Sequence, residues 1–276
     1  MDNGDEAKNG GSLSSLASSL YVLGLFTEQH PTWSADAINE ALGFSRPTGY
    51  RYVRELVHSG LVARIAPGTY ALGPRIIELD FQIRLSDPLL KAGLPVIQEL
   101  VESTGCEVNL IGLYGDHIVT THQQPGIERL PLSFGRGRPL PAFRGAGSKI
   151  IVAHFGKNKL KKLYEAHATQ AQQAGLGHDW DSVRAALAQL KKQGHAVSQG
   201  ELDPGFVGVA APVFAPDGEI LGSVIAALTR HRLGITDLDR LIAKIEGGGQ
   251  QISQRVAHWA KTQAPPTSLP QRAKAA

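Results

Sequence analysis

The feature that most narrows what this chain can fold into is a set of helix starts and stops crowded into residues 34–60. Ser34 can cap a short helix whose apolar face is Ala37, Ile38, Ala41 and Leu42, and Gly43 closes it. Only Phe44 separates that glycine from Ser45, which can cap a new run with Pro47 in its first turn, where a missing N–H is no loss. The run carries Val53, Leu56 and Val57 and stops at Gly60. Two helices so joined must turn sharply and pack on each other. Upstream, Leu13, Leu16, Leu20, Leu23 and Phe26 recur at the helical period and predict a first helix from Leu13 to Gln29. Downstream, Leu61 to Ala66 and Thr69 to Leu72 flank the Pro67-Gly68 turn as a small hairpin. Helix, helix, turn, helix and hairpin is the order of a winged helix-turn-helix.

In that motif the third helix enters the major groove of double-stranded DNA, so its charge matters. Between Gly43 and Arg75 stand Arg46, Arg51, Arg54, Arg64 and Arg75 against the single acid Glu55, a local surplus larger than the +3 of the whole chain. With Gly49, Val53, Leu56 and Gly60 on the inner stripe of the helix, Thr48, Arg51, Glu55 and His58 fall on the outer one. Ser45 and Arg46 sit at the positively polarised helix start. The candidate DNA contacts are Ser45, Arg46, Thr48, Tyr50, Arg51 and Arg54, led by Arg46 and Arg51. Arginine can read guanine bidentately or clamp phosphate, and the hydroxyls can each donate to the backbone.

From Pro74 the apolar residues Ile76, Ile77, Leu79, Phe81, Ile83 and Leu85 continue a helical pattern to Asp87-Pro88, where proline predicts a bend. A helix follows over Val96 to Ser103, then strands from Glu107 to Tyr114 and His117 to His122 around Gly115-Asp116. Helices are expected at Gly147 to Phe155, Lys159 to Ala168, Ser182 to Gln193 and Gln250 to Lys261, with strands at Gly208 to Phe214 and Ile220 to Leu228. The mixture is α+β. The expected divisions are a flexible tail over 1–11, the winged helix-turn-helix over 12–73, a connector helix over 74–94, a second domain over 95–262 and a flexible tail over 263–276.

Enzyme signatures are missing where they would be looked for. The chain has no His-Glu-x-x-His run, and His117 with His122 reads as a polar pair beside a strand. Gly145-Ala-Gly-Ser-Lys149 lacks the spacing of a phosphate loop, Gly135-Arg-Gly-Arg138 lacks the third glycine of a dinucleotide turn, and Ser148 has no nucleophile elbow around it. Cys106, the single cysteine, excludes a disulfide framework and reads as a buried inert thiol. The lysines at 157, 159, 161 and 162 read as a solvated helix face. No catalytic residue, metal or cofactor is therefore expected. The polar opening residues and the lack of 18 consecutive apolar residues lead to the expectation of a cytoplasmic protein without a membrane partner.

Phe44-Ser-Arg-Pro-Thr-Gly-Tyr-Arg-Tyr-Val-Arg-Glu-Leu-Val-His-Ser-Gly60 with Gly68-Thr-Tyr-Ala-Leu-Gly73 resembles the recognition helix and wing of IclR-type bacterial transcriptional regulators. Arg138-Pro-Leu-Pro-Ala-Phe-Arg-Gly-Ala-Gly-Ser-Lys149 resembles that family's pocket segment. Gln199-Gly-Glu-Leu-Asp-Pro-Gly-Phe-Val-Gly-Val-Ala-Ala-Pro-Val-Phe214, with Asp217-Gly218 after it, resembles its second signature. The resemblance covers about residues 12–262. It implies a GAF-like effector-binding domain with an antiparallel sheet, a homodimer or dimer of dimers, and control of a catabolic operon by a small organic acid or aromatic compound.

Carried over by position, the family's ligand contacts fall on Ala146 and Gly147, whose amides can face a carboxylate, and on Ser198 and Gly208, while Glu201 matches a characteristic acid. Relatives that bind two- or three-carbon acids often have Asp and Cys at the places of Ser198 and Gly208, and a small residue at that of Arg144. Smaller side chains leave room, and Arg144 offers a planar fork for a carboxylate unless it turns outward to a neighbouring acid. The expected effector is a larger, aromatic carboxylic acid. Two other functions fit the same elements: a metabolite sensor acting through protein partners, and a hydrolase whose N-terminal domain makes contacts.

Overall fold

The computed structural model describes residues 14–262, and the expected tails over 1–11 and 263–276 lie outside them. The chain forms two units that meet between Ser86 and Asp87. Among the described residues no helix is long and apolar enough to cross a membrane.

The first unit holds α1 (Ser15–Gly24), β1 (Trp33–Ser34), α2 (Ala35–Leu42), α3 (Arg46–His58), β2 (Val62–Ala66), β3 (Thr69–Leu72) and α4 (Arg75–Ser86). Ser34 Oγ accepts from Ala37 N–H at 3.1 Å, and Gly43 closes α2 at φ 66°, as the punctuation predicts. Val22, Ala35, Ile38, Val53, Leu56 and Val62 form the core; on α1 it is Val22 that is buried, whereas Leu16 and Leu20 of the expected inner face are exposed. Gly49 is required where α2 meets α3, because a Cβ there would lie 1.4 Å from Asn39 Oδ1. The hairpin gains a third strand in the antiparallel order β1-β3-β2; β1 has two residues, too few to show a period. The first helix ends at Gly24, short of the expected Gln29.

The second unit holds α5 (Pro88–Thr104), β4 (Glu107–Tyr114), β5 (His117–Gln124), α6 (Ala146–Val152), α7 (Lys157–Gln173), α8 (Trp180–Gln193), β6 (Ala196–Gln199), β7 (Phe206–Phe214), β8 (Ile220–Thr229), α9 (Arg230–Leu233) and α10 (Leu238–Thr262). Its five strands pair antiparallel in the order β5-β4-β8-β7-β6. Alternation along the strands sorts the two faces. Val108 and Leu110 of β4, Val207 and Val209 of β7, and Val224 and Ala226 of β8 pack in the core shared with α5 and α10. The intervening residues Asn109, Ile111, Gly208 and Ile225 face the other side, where α6 lies.

Two helices begin earlier than their local sequence predicts. Asp87 Oδ1 accepts from the amides of Leu89 at 2.8 Å and Leu90 at 3.2 Å, so the expected bend is the cap of α5, which runs on through Pro95. An interior proline costs about 3 kcal/mol. Burial of Leu89, Leu90, Val96 and Ile97, about 1.5–3 kcal/mol each, outweighs it. α10 starts at Leu238, twelve residues before Gln250, and passes through Gly247-Gly-Gly249. These glycines admit neighbours: a Cβ would lie 2.7 Å from Leu100 Cδ1 at Gly248 and 2.7 Å from the Pro212 carbonyl oxygen at Gly249. Helix α10 can thereby lie close on the sheet.

Candidate DNA-reading face and ligand cavity

Helix α3 buries Gly49, Tyr52, Val53 and Leu56 and exposes Ser45, Arg46, Tyr50, Arg51 and Arg54; Thr48 is half-buried. Ser45 makes no side-chain cap bond to the helix and instead donates its hydroxyl to Thr48 Oγ1 at 2.9 Å. Arg46 donates from Nε and Nη2 to the two carboxylate oxygens of Asp36 at 3.0 and 3.2 Å, and Tyr50 donates to the same carboxylate at 3.3 Å. Hydrogen bonding from Arg46 holds the Asp36 carboxyl below its usual range. Arg51 lies over the Tyr52 ring at 5.4 Å, and Arg54 reaches Glu55 at 3.3 Å. Five of the six candidate residues thus stand on α3, and Ser45 is its N-cap. Two of them share an acid on α2 that helix periodicity gives no reason to single out.

On the α6 side of the second unit's sheet is a cavity of about 70 Å³, measured as space for the centre of a water-sized molecule. One water needs about 10–15 Å³ by that measure, so the space takes a molecule several times larger. Ala146, Gly147, Ser198, Glu201 and Gly208 all line it. Residues 50 or more apart in sequence meet here because β6 and β7 bring the second signature beside the start of α6. Ala146 N–H donates to Ser198 Oγ at 3.0 Å and Gly145 N–H to Glu201 Oε2 at 2.8 Å. Lys149, itself buried, pairs with Glu201 Oε1.

Arg144 stands elsewhere than the fork expected for a carboxylate. Its guanidinium donates to the main-chain carbonyl of Glu201, and it does not line the cavity. The arginine ties the Glu201 turn to the start of α6. The Ala146 amide, likewise, is engaged by Ser198 and does not face the cavity alone.

Sequence reasoning passed over several wall residues. Leu132, Phe134 and Leu140 come from the segment between β5 and α6, which has no helix or strand to give a period. Asn109 sits in a strand read only for its apolar residues, although polar Glu107 and Asn109 alternate with Val108 and Leu110 and so mark a face. Ser148, which has no nucleophile elbow around it, carries no other local signal of a place on the wall. Among the described residues no group of three or more His, Cys, Asp or Glu could hold a metal. Burial pushes the Cys106 thiol up, away from the reactive thiolate.

The bacterial transcriptional regulator IclR C-terminal model matches residues 85–254, and the IclR helix-turn-helix domain model matches residues 15–66. The chain belongs to the IclR family. It is an IclR-family transcriptional regulator, with the helix-turn-helix and the antiparallel-sheet domain that the sequence led us to expect. The Pca regulon regulatory protein of Pseudomonas putida is 24% identical over 229 residues, spanning 83% of this chain and 78% of that protein. An IclR transcriptional regulator from Alicyclobacillus acidocaldarius shares the fold with TM-score 0.71 at 21% identity, over 90% of this chain and 100% of its own. An IclR homologue from Microbacterium hydrocarbonoxydans, solved in complex with 4-hydroxybenzoate, matches with TM-score 0.70 at 18% identity, over 88% of this chain and 99% of its own.

Proposed function

We propose that this IclR-family regulator binds double-stranded operator DNA through Ser45, Arg46, Thr48, Tyr50, Arg51 and Arg54, and that a small aromatic carboxylic acid held in the cavity alters that binding to control a catabolic operon. The observation that carries the effector half is the convergence of the two signature segments on one cavity, with Ala146, Gly147, Ser198, Glu201 and Gly208 on its wall. Phe134, Leu140, Phe206 and Ile225 supply apolar surface for a ring. Gly208 keeps the space open: a Cβ there would already be 3.0 Å from Ile225 Cδ1 and 3.1 Å from Ser198 Oγ. The Microbacterium homologue's 4-hydroxybenzoate is a ligand of the same class.

The regulator acts as a homodimer or a dimer of dimers. Ile77, Phe81, Ile83 and Leu85 on α4, with Leu16, Leu20 and Tyr21 on α1, are exposed large apolar side chains, more than a lone helix surface carries without a partner. Two heads per dimer would read two half-sites. A direct test is fluorescence anisotropy with DNA from beside the protein's own gene and with scrambled DNA, at two salt concentrations, with and without a panel of acids. The expected result is specific binding that one acid changes; equal weak binding to both DNAs, unmoved by any acid, overturns the reading.

A further inference from the structure

Asn109 on β4 and Ser148 on α6 both line the cavity, both are more than nine-tenths buried, and neither Asn109 Oδ1 nor Ser148 Oγ has a hydrogen-bond partner in the protein. The orientation of the Asn109 amide is set from behind. Its Nδ2 donates to Glu107 Oε1 at 3.4 Å, and the fully buried Glu107 also accepts from Gln123 Nε2 at 2.7 Å and from Leu130 N–H at 3.4 Å. Glu107 thus serves as the acceptor for three donors, and turning the amide over would set two acceptor oxygens against each other. The carbonyl oxygen is left pointing away from Glu107, as an acceptor with nothing to accept. A buried acceptor left unmet costs as much as a lost hydrogen bond, so a ligand that supplies a donor recovers it.

We infer that Asn109 is a specificity-determining residue of the cavity, and that the effector carries a hydroxyl or amino hydrogen-bond donor which binds Asn109 Oδ1. The inference rests on the cavity being the effector site and adds a requirement to it. A carboxylate has only acceptor oxygens and cannot satisfy Asn109, so the acid group and the donor sit at separate places on the ligand. Ser148, a hydroxyl that can both donate and accept, serves either end. Thr120 is not in competition, since its hydroxyl already donates to the Phe134 carbonyl at 3.0 Å.

Isothermal calorimetry on the full chain tests this with benzoate, the three hydroxybenzoates, 4-aminobenzoate and phenol, on the wild type and on Asn109→Leu and Ser148→Ala. At least one donor-bearing acid is expected to bind tenfold or more tighter than benzoate, about 1.4 kcal/mol. Asn109→Leu is expected to level that preference, the donor-bearing acid and benzoate then binding alike. Benzoate binding as tightly as every donor-bearing acid overturns the inference and leaves the acid reading standing. Binding of phenol but of no acid supports the inference and overturns the acid reading. No binding by any probe at millimolar concentration overturns both. Thermal melting establishes that Asn109→Leu is folded; if it is not, Asn109→Ala, which removes the same acceptor, decides: a preference that survives in it overturns the inference.

Discussion

The outer face of α3 and the wall of the second unit's cavity both carry ionic pairs, and they hold them in opposite ways. Arg46 and Asp36 pair with three-quarters and over half of their side chains in solvent, whereas Lys149 and Glu201 pair with 7% and 19% exposed. An exposed pair contributes little and is screened by salt, so Asp36 can yield its arginine to a phosphate. A buried pair has already lost its water, so removing one partner strands the other. The first arrangement suits a surface that must exchange partners, and the second suits a wall that must keep its shape.

The largest effect that tests this contrast is on the buried side. Lys149→Met is expected to destabilise the second unit by about 3–5 kcal/mol, read by urea unfolding, because Glu201 would stay buried with its charge unanswered. A loss no greater than that of Arg46→Ala would erase the distinction. Next, Gly208→Leu is expected to cost about 1–3 kcal/mol by overpacking against Ile225 and to weaken effector binding at least tenfold, read by melting and calorimetry.

On the exposed side, Arg46→Ala is expected to weaken DNA binding about tenfold and lower the slope of log affinity against log salt by about 1. Asp36→Asn is expected to strengthen binding by about twofold to threefold at low salt, since Arg46 and Tyr50 lose their competing acceptor. Both are read by anisotropy, and an Asp36→Asn protein that binds DNA less well would show that the acid positions Arg46 instead of competing for it.

The smallest effect concerns pH. His154 donates from Nδ1 to the Ile150 carbonyl at 2.9 Å and packs edge-on against Phe214, and burial holds its pKa below the ordinary 6.5. Between the lowered value and 6.5 the unfolded chain binds more protons than the folded one, so stability rises with pH across that window and is lost as pH falls. His154→Phe is expected to flatten that slope in urea titrations, and an unchanged slope would assign it to other groups.

Much of the first unit was legible in order along the chain. Ser34, Gly43 and Gly60 mark helix ends through local hydrogen bonds and backbone freedom, which need no knowledge of distant residues, and Ser45 stands at the N-cap of α3 without making the expected cap bond. The cavity was legible only where a resemblance placed Ala146, Gly147, Ser198, Glu201 and Gly208. Its remaining wall was not, because Leu132 and Phe134 lie in a segment without a period and Asn109 matters through the cavity that α6 closes over its own face of the sheet. The early start of α10 has the same cause: Gly248 and Gly249 serve to admit Leu100 and Pro212, and both are remote in sequence.

Local sequence therefore determined the helix-turn-helix, the arginine-rich face of α3 and the alternation that gives each strand of the second unit two unlike faces. Tertiary structure alone decided that Arg46 and Tyr50 share Asp36, that Arg144 holds the Glu201 carbonyl and does not open to the cavity, and that Asn109 Oδ1 and Ser148 Oγ line one space. Capping and periodicity act within a few residues of the chain, whereas the partner of a side chain is fixed by which strands pair and which helix covers them.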